Sequence, residues 1–194
     1  LTQILLQFNT KFGEGNLWNM VRGRYQTPKK EQRIFMFVDI NSSTTIAEKL
    51  GDEKYHHLLK DYFSDITNPI LDNQGEIYQY AGDEVIISWK YAEGVTGCNC
   101  IDCFFDMKKE INSRSAFYQE KYGLVPSFKA GLHYGYVLAG EVGIIKRDIT
   151  FSGDVLNTTS RIQGKCRELN TDILASADLL TAVSLKGKYE VKQM

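Results

Sequence analysis

The chain carries almost no surplus charge of either sign. Its 23 Lys and Arg against 24 Asp and Glu leave a net charge of -1. Nucleic-acid binders and general membrane-surface binders are basic overall, so this balance argues against both. Any polyanionic ligand must therefore meet a local cluster of positive charge. No apolar stretch approaches the ~20 residues needed to cross a bilayer, no segment reads as a signal peptide, and no internal repeat is apparent. Cysteines are few: Cys98, Cys100, Cys103 and Cys166. The C-x-C-x-x-C run invites a metal-site reading, but no other ligand-rich segment lies nearby. The run leads straight into Phe104, Phe105 and a helical pattern, which favours reduced thiols on a buried helix face and a reducing compartment.

What is present suits an ordinary globular protein. The 194 residues are 43% hydrophobic and 24% charged, enough for one domain plus a short extra segment. A chain of this size buries roughly two-thirds of its unfolded surface without needing a staple. It begins at Leu1 rather than Met, which predicts a piece of a longer protein. Residues 1–27 read apart from the rest: Ile4, Leu5, Phe8 and Phe12 fall at helical spacing before Gly13 and Gly15 break the pattern. Pro28 to Gln32 form a polar joint. The first 32 residues are taken as a helical connector, with a helix packed on its own domain as the alternative, and residues 33–194 as the main domain.

From Arg33 the pattern sharpens. Ile34 to Ile40 is apolar apart from Asp39, as in a strand buried on both faces. Ser42, Ser43, Thr44 and Thr45 are N-cap residues, and Glu48 is placed to reach back to the helix start. That helix ends at Gly51. A second helix, with Tyr55, Leu58, Leu59, Tyr62, Phe63 and Ile66 on one face, stops near Pro69. Glu76 to Ala81 and Glu84 to Trp89 flank Gly82-Asp83 as a hairpin. A long helix over about Cys100 to Tyr122 follows, then a second hairpin, Phe128 to Leu132 and Tyr136 to Ala139, around Gly135. A helix over Asp154 to Gly164, a strand Ile173 to Ala175, a helix from Ser176 and a last strand after Gly187 complete the chain. This order predicts an α+β domain with one central sheet and helices on one face.

Three groups of residues carry chemistry. Asp39 ends an apolar strand, where a carboxylate is costly unless a cation or donors satisfy it. The Ser/Thr-rich helix start after it offers free N–H groups to anions. Asp83 sits at a hairpin tip, where Asp is common for turn reasons alone. If strand 34–40 lies beside that hairpin, however, both carboxylates converge at one edge. Two acidic residues with few other ligands suit Mg²⁺, which keeps waters and takes the rest of its shell from substrate phosphates. Asn157 and Arg161, spaced i, i+4, share one helix face. Arg suits charge developing on a phosphoryl group and Asn orients a ring oxygen, while a solvated helix face explains the same spacing.

Together these stretches resemble the catalytic domain of class III adenylate and guanylate cyclases. The resemblance runs from about Arg33 to the end. It is carried by F-V-D-I-N-S-S-T at 37–44, Y-A-G-D-E-V at 80–85, G-L-H-Y-G at 131–135 and G-D-V-L-N-T-T-S-R-I at 153–162. The segment Leu17-Trp18…Gly23-Arg24-Tyr25 also resembles the piece preceding this domain in bacterial cyclases with an N-terminal membrane region. The resemblance implies a ferredoxin-like fold, with a mostly antiparallel sheet and helices packed on it. It further implies a cytoplasmic domain whose only membrane contact lies upstream. Carried over residue by residue, Asp39 and Asp83 match the metal-binding aspartates, and Ile40 the residue lending a carbonyl to a metal. Asn41, Ser42, Ser43 and Thr44 match the phosphate loop, with Ser42-Ser43 replacing the usual Gly-Phe. Asn157 and Arg161 match the pair that stabilises the transition state. Lys186 matches a phosphate-binding lysine, and Lys146 or Arg147 adds positive charge there.

The implied cofactors are two Mg²⁺ or Mn²⁺ ions and the implied assembly is a homodimer. One copy supplies the metal ligands and the other the Asn/Arg pair, which gives two equivalent sites. The implied reaction is attack of the ribose 3′-hydroxyl on the α-phosphorus of ATP, releasing pyrophosphate. No dedicated side-chain base is evident, and Asp39, the substrate or solvent takes the proton. The base-reading positions are Gln79, where adenylate cyclases usually have Lys and guanylate cyclases Glu, and Thr150, found in a bacterial adenylate cyclase subgroup. Glutamine both donates and accepts, so guanylate or dual specificity is the alternative to ATP. A non-catalytic nucleotide-sensing module on the same fold is the alternative from another class. A diguanylate cyclase, suggested by A-G-D-E-V, lacks a counterpart of the Asn157/Arg161 helix.

Overall fold

A computed structural model describes residues 27–144, 148–185 and 187–193. Its elements, in chain order, are β1 (Lys29–Ile40), α1 (Ser43–Leu50), α2 (Asp52–Asp72), β2 (Glu76–Ala81) and β3 (Glu84–Lys90). Then come α3 (Tyr91–Val95), α4 (Asn99–Ser113), α5 (Ser115–Tyr122), β4 (Phe128–Val142) and β5 (Asp148–Ser152). Last are α6 (Asp154–Glu168), β6 (Ile173–Ala175) and α7 (Ala177–Ala182). β1 thus starts at Lys29, inside the stretch assigned to the connector, and residues 1–26 of that stretch lie outside the described residues. The sheet is ordered β2-β3-β1-β4-β5 with antiparallel neighbours, and β6 pairs parallel with β4.

β1 alternates between two buried faces. Ile34, Met36, Val38 and Ile40 enter the main core with Leu58, Tyr62, Ile66 and Ile70 of α2 and Phe104 and Met107 of α4. Phe35 and Phe37 enter a smaller cluster with Ile86, Val137 and Val155 of α6. The expectation of helices on one face is therefore corrected, because α6 packs on the opposite face. Arg33 shares that second face and is 2% exposed. It donates to Glu76 at 2.7 Å, Glu31 at 3.1 Å and Ser88 at 3.2 Å. Burial works against its charge, but these carboxylates more than offset that and raise its pKa.

The second predicted hairpin is instead one strand, β4, which pairs with β1 along its length, Arg33 opposite Gly135. Gly135 is not a turn residue. A Cβ there would lie 2.6 Å from Val155 Cγ2, and one at Gly131 would lie 2.3 Å from Gln163 N. Gly131 lets α6 cross the strand almost backbone to backbone, and Gly135 leaves room for the Val155 side chain. The true partner of β4's far end is β5, which the sequence reading left out.

Further differences have local causes. The expected helix over 100–122 breaks at Arg114, where the guanidinium and the Tyr118 hydroxyl both reach Asp65 of α2. Pro69 does not stop α2. The helix runs on to Asp72 because the Asn73 side chain donates to the Pro69 carbonyl and Trp89 donates to the Asn73 carbonyl. α6 likewise runs past Gly164 to Glu168. No strand forms over residues 187–193. There the Tyr189 hydroxyl and Lys188 bond Asp102, and the Tyr189 ring stacks on Phe105 at 4.5 Å. All four cysteines are buried, and burial pushes the Cys100 thiol up to about 12. Among the described residues no helix is long and apolar enough to cross a membrane.

Candidate active site

The register sets Asp39 opposite Glu84, so the end of β1 meets the Gly82-Asp83 turn. That turn places the Asp83 carboxyl close enough to Asp39 to oppose its ionisation. Burial first, then the Asp83 carboxyl and the Glu84 charge, push Asp39 up to about 7, against a weaker opposing hydrogen bond from Gln163. That bond runs from Gln163 Nε2 to Asp39 Oδ2 at 3.4 Å. Beneath the pair lies Tyr62, fully buried, its hydroxyl without a partner and its pKa raised by burial and by both aspartates. Two mutually opposed carboxyl groups near an orphaned hydroxyl form a site that a divalent cation would satisfy. Among the described residues no group of three or more His, Cys, Asp or Glu side chains is arranged to hold a metal ion by itself. A shell of two carboxylates, a backbone carbonyl from Ile40, waters and substrate oxygens fits Mg²⁺ better than a metal that wants an all-protein cage.

The loop after β1 is pinned by Asn41, whose backbone N–H donates to Ser127 O at 2.8 Å and whose side-chain amide donates to Ser127 Oγ at 2.9 Å. The first intrahelical bond of α1 is Ile46 N to Ser42 O. The N–H groups of Ser43, Thr44 and Thr45 thus have no acceptor within the helix and face an anion's natural seat. Ser42 makes no side-chain cap, contrary to the capping expectation, and holds φ 57° and ψ 32°. That left-handed geometry favours glycine and costs a serine roughly 1 kcal/mol. Ser42→Gly is therefore expected to raise the unfolding free energy, read by denaturant titration, by about 0.5 kcal/mol, part of the relief being lost to unfolded-chain entropy.

A cleft of about 650 Å³ joins Asp39 and this loop to Lys129, Gln163 and Arg167. Lys129 and Arg167 are cations that sequence reasoning missed. Lys129 pairs with Asp39 across β4, a relation visible only once the register is known. Arg167 stands one turn beyond Gln163 on α6. Asn157 and Arg161 are exposed and do not line this cleft. At 3.6 residues per turn, Arg161 and Gln163 point about 200° apart around the helix. α6 thus turns Gln163 and Arg167 to the cleft that Asp39 lines and presents Arg161 outward. Among the described residues Gln79 and Thr150 lie on β2 and β5, at opposite ends of the sheet order. The Thr150 hydroxyl donates to Gly140 O at 3.3 Å. Lys146, Arg147 and Lys186 lie outside the described residues.

Comparison with known proteins bears on the family and the fold. The family model for the adenylate and guanylate cyclase catalytic domain matches residues 25–193. "Adenylate cyclase 2" of Rhizobium meliloti is 39% identical over 176 residues, which is 91% of this chain and 48% of that protein. "Adenylate cyclase 1" of the same organism is 32% identical over 155 residues, 76% of this chain and 23% of that protein. The chain therefore spans about half or less of the curated relatives it matches. Among solved structures, a bacterial light-regulated adenylyl cyclase superposes with a TM-score of 0.71 at 28% identity, covering 79% of this chain and 80% of that one.

Proposed function

Given that the chain belongs to the family of adenylate and guanylate cyclase catalytic domains, we propose that it converts ATP to 3′,5′-cyclic AMP and pyrophosphate at sites shared by two copies of itself. The observation that carries this reading is Asp39, opposed by the Asp83 carboxyl and lining one cleft with an open helix N-terminus. Two divalent ions, Mg²⁺ or Mn²⁺, held by Asp39, Asp83 and the Ile40 carbonyl, would lower the pKa of the attacking hydroxyl and neutralise the triphosphate.

The chain's own groups do the rest. The N–H groups at the start of α1, with Lys129 and Arg167 across the cleft, seat the triphosphate. Lys186, Lys146 and Arg147 add positive charge to that seat. The 3′-oxygen bonds the α-phosphorus as the bond to the β-phosphate oxygen breaks, and the hydroxyl proton leaves to Asp39 or solvent. Arg161 of the second copy meets the charge on the α-phosphoryl oxygens and Asn157 orients the ribose. Arg161 points away from its own cleft, so a second copy is needed to complete each site.

Adenine is favoured by Thr150. Its proton is committed to Gly140 O, so it offers only acceptor lone pairs, complementary to an adenine amino group and opposed to a guanine carbonyl. Gln79 serves either purine, which makes GTP the poorer substrate rather than an excluded one. The test is chromatographic product identification from the purified chain with ATP and with GTP, each in Mg²⁺ and in Mn²⁺. Cyclic AMP as the main product supports the proposal. Nucleotide binding with no cyclic product in either metal would replace it with a sensing module.

A further inference from the structure

The two strands that carry the base-reading positions are the farthest apart in the sheet order, yet they touch. The Tyr78 ring of β2 packs on Phe151 of β5 with centroids 5.0 Å apart, and the Phe151 backbone N–H donates to the Tyr78 hydroxyl at 3.4 Å. Phe35 of the intervening β1 meets both rings edge-on, at 6.3 Å and 5.5 Å. Arg33 spans the same gap, donating to Glu76 of β2 while its guanidinium lies 4.6 Å from the Phe151 ring centre. The sheet is therefore curled until its edges meet across the face that holds Asp39.

Tyr78 is also where β2 departs from regular pairing. The register moves from Ile77 opposite Ile87 to Gln79 opposite Ile86, which leaves Tyr78 as the extra residue of a bulge. Ile77 packs against the main core, and Tyr80 packs on Phe63 of α2 at 4.5 Å. Those two lie on the helix-covered face, so the bulge turns Tyr78 and Gln79 together to the other side. In an unbroken strand Gln79 would follow Ile77 into the helical layer.

We propose that Tyr78 is a specificity-positioning residue, whose bulge aims Gln79 and whose hydroxyl and ring hold β5, and with it Thr150, in one fixed relation to that amide. This rests on the reading of Gln79 and Thr150 as the residues that contact the base. Tyr78 itself touches no reacting atom, so its effect falls on discrimination rather than on turnover.

The experiment compares kcat/KM for ATP and GTP in the parent chain, Tyr78→Phe, Tyr78→Leu and Gln79→Ala. Tyr78→Phe keeps the ring packing and removes only the contact to Phe151 N. It is expected to shrink the ATP:GTP ratio about three- to tenfold, the scale of one hydrogen bond. The change should appear mainly in KM, with the thermal midpoint nearly that of the parent. Tyr78→Leu should shrink the ratio further. Parent-like ratios in both Tyr78 variants, with Gln79→Ala altering the ratio, would overturn the proposal while leaving the base-reading assignment intact. A parent-like ratio in Gln79→Ala, with cyclase activity retained, would remove that assignment and the proposal with it.

Discussion

Asp39→Asn should abolish cyclic nucleotide formation while making the metal-free protein more stable. The two effects share one cause. Without a cation, Asp39 sits against Asp83 and Glu84 and its carboxyl is pushed up to about 7, well above its ordinary value near 4. A pKa raised in the native state means that the group's favourable contribution is complete at low pH and fades as pH rises through about 7. At pH 8 the native carboxylate carries its full repulsion, whereas asparagine, neutral at every pH, carries none. After discounting for solvent screening at this half-buried position, the gain is about 1–2 kcal/mol, or roughly 3–6 °C in thermal midpoint at pH 8. It should shrink toward zero by about pH 4. Activity should fall by about 10³-fold or more, as expected when several kcal/mol of charge stabilisation are lost. Calorimetry across pH, read beside the activity assay, checks both. A variant less stable than the parent at pH 8 would mean the carboxyl pair is not held in opposition.

Arg161→Ala should be as damaging to turnover and yet invisible to stability. Arg161 is exposed and, among the described residues, forms no ion pair in its own subunit. Its removal leaves the thermal midpoint within about 0.5 kcal/mol of the parent. If it meets charge that develops on the α-phosphoryl group, kcat drops about 10³-fold, the scale of an arginine supplied to a phosphoryl transition state. KM for ATP should change little, because the ground-state triphosphate is held by other groups. A variant that loses nucleotide affinity and keeps kcat would assign Arg161 to binding instead.

Much of this site was legible because its signals were anomalies. Asp39 stood out as a carboxylate in an apolar strand, and Gly82-Asp83 marked the turn that brings Asp83 to it. The roles of Gly131 and Gly135 were not legible. The same residue serves a tight turn and a close backbone crossing, and only the position of α6 tells which. That position was itself hidden, since one amphipathic helix does not state which face of a sheet it covers. Lys129 needed the β1–β4 register. The five-residue β5 offered too short a pattern, and the bulge at Tyr78 emerges only from pairing with β3. Tyr189 read as part of a strand, but its ring found Phe105 and its hydroxyl Asp102, so the final segment lies on α4 rather than in the sheet.

The central claim is that each site takes its carboxylates from one copy and its arginine from the other. Mixing Asp39→Asn with Arg161→Ala, each inactive alone, tests it most directly. Equal amounts exchanging freely form half heterodimers, each with one complete site, so cyclic AMP formation should return to about a quarter of the parent rate. Tagged copies should show that heterodimers have formed. Heterodimers isolated in this way that make no more product than either variant alone would contradict the account.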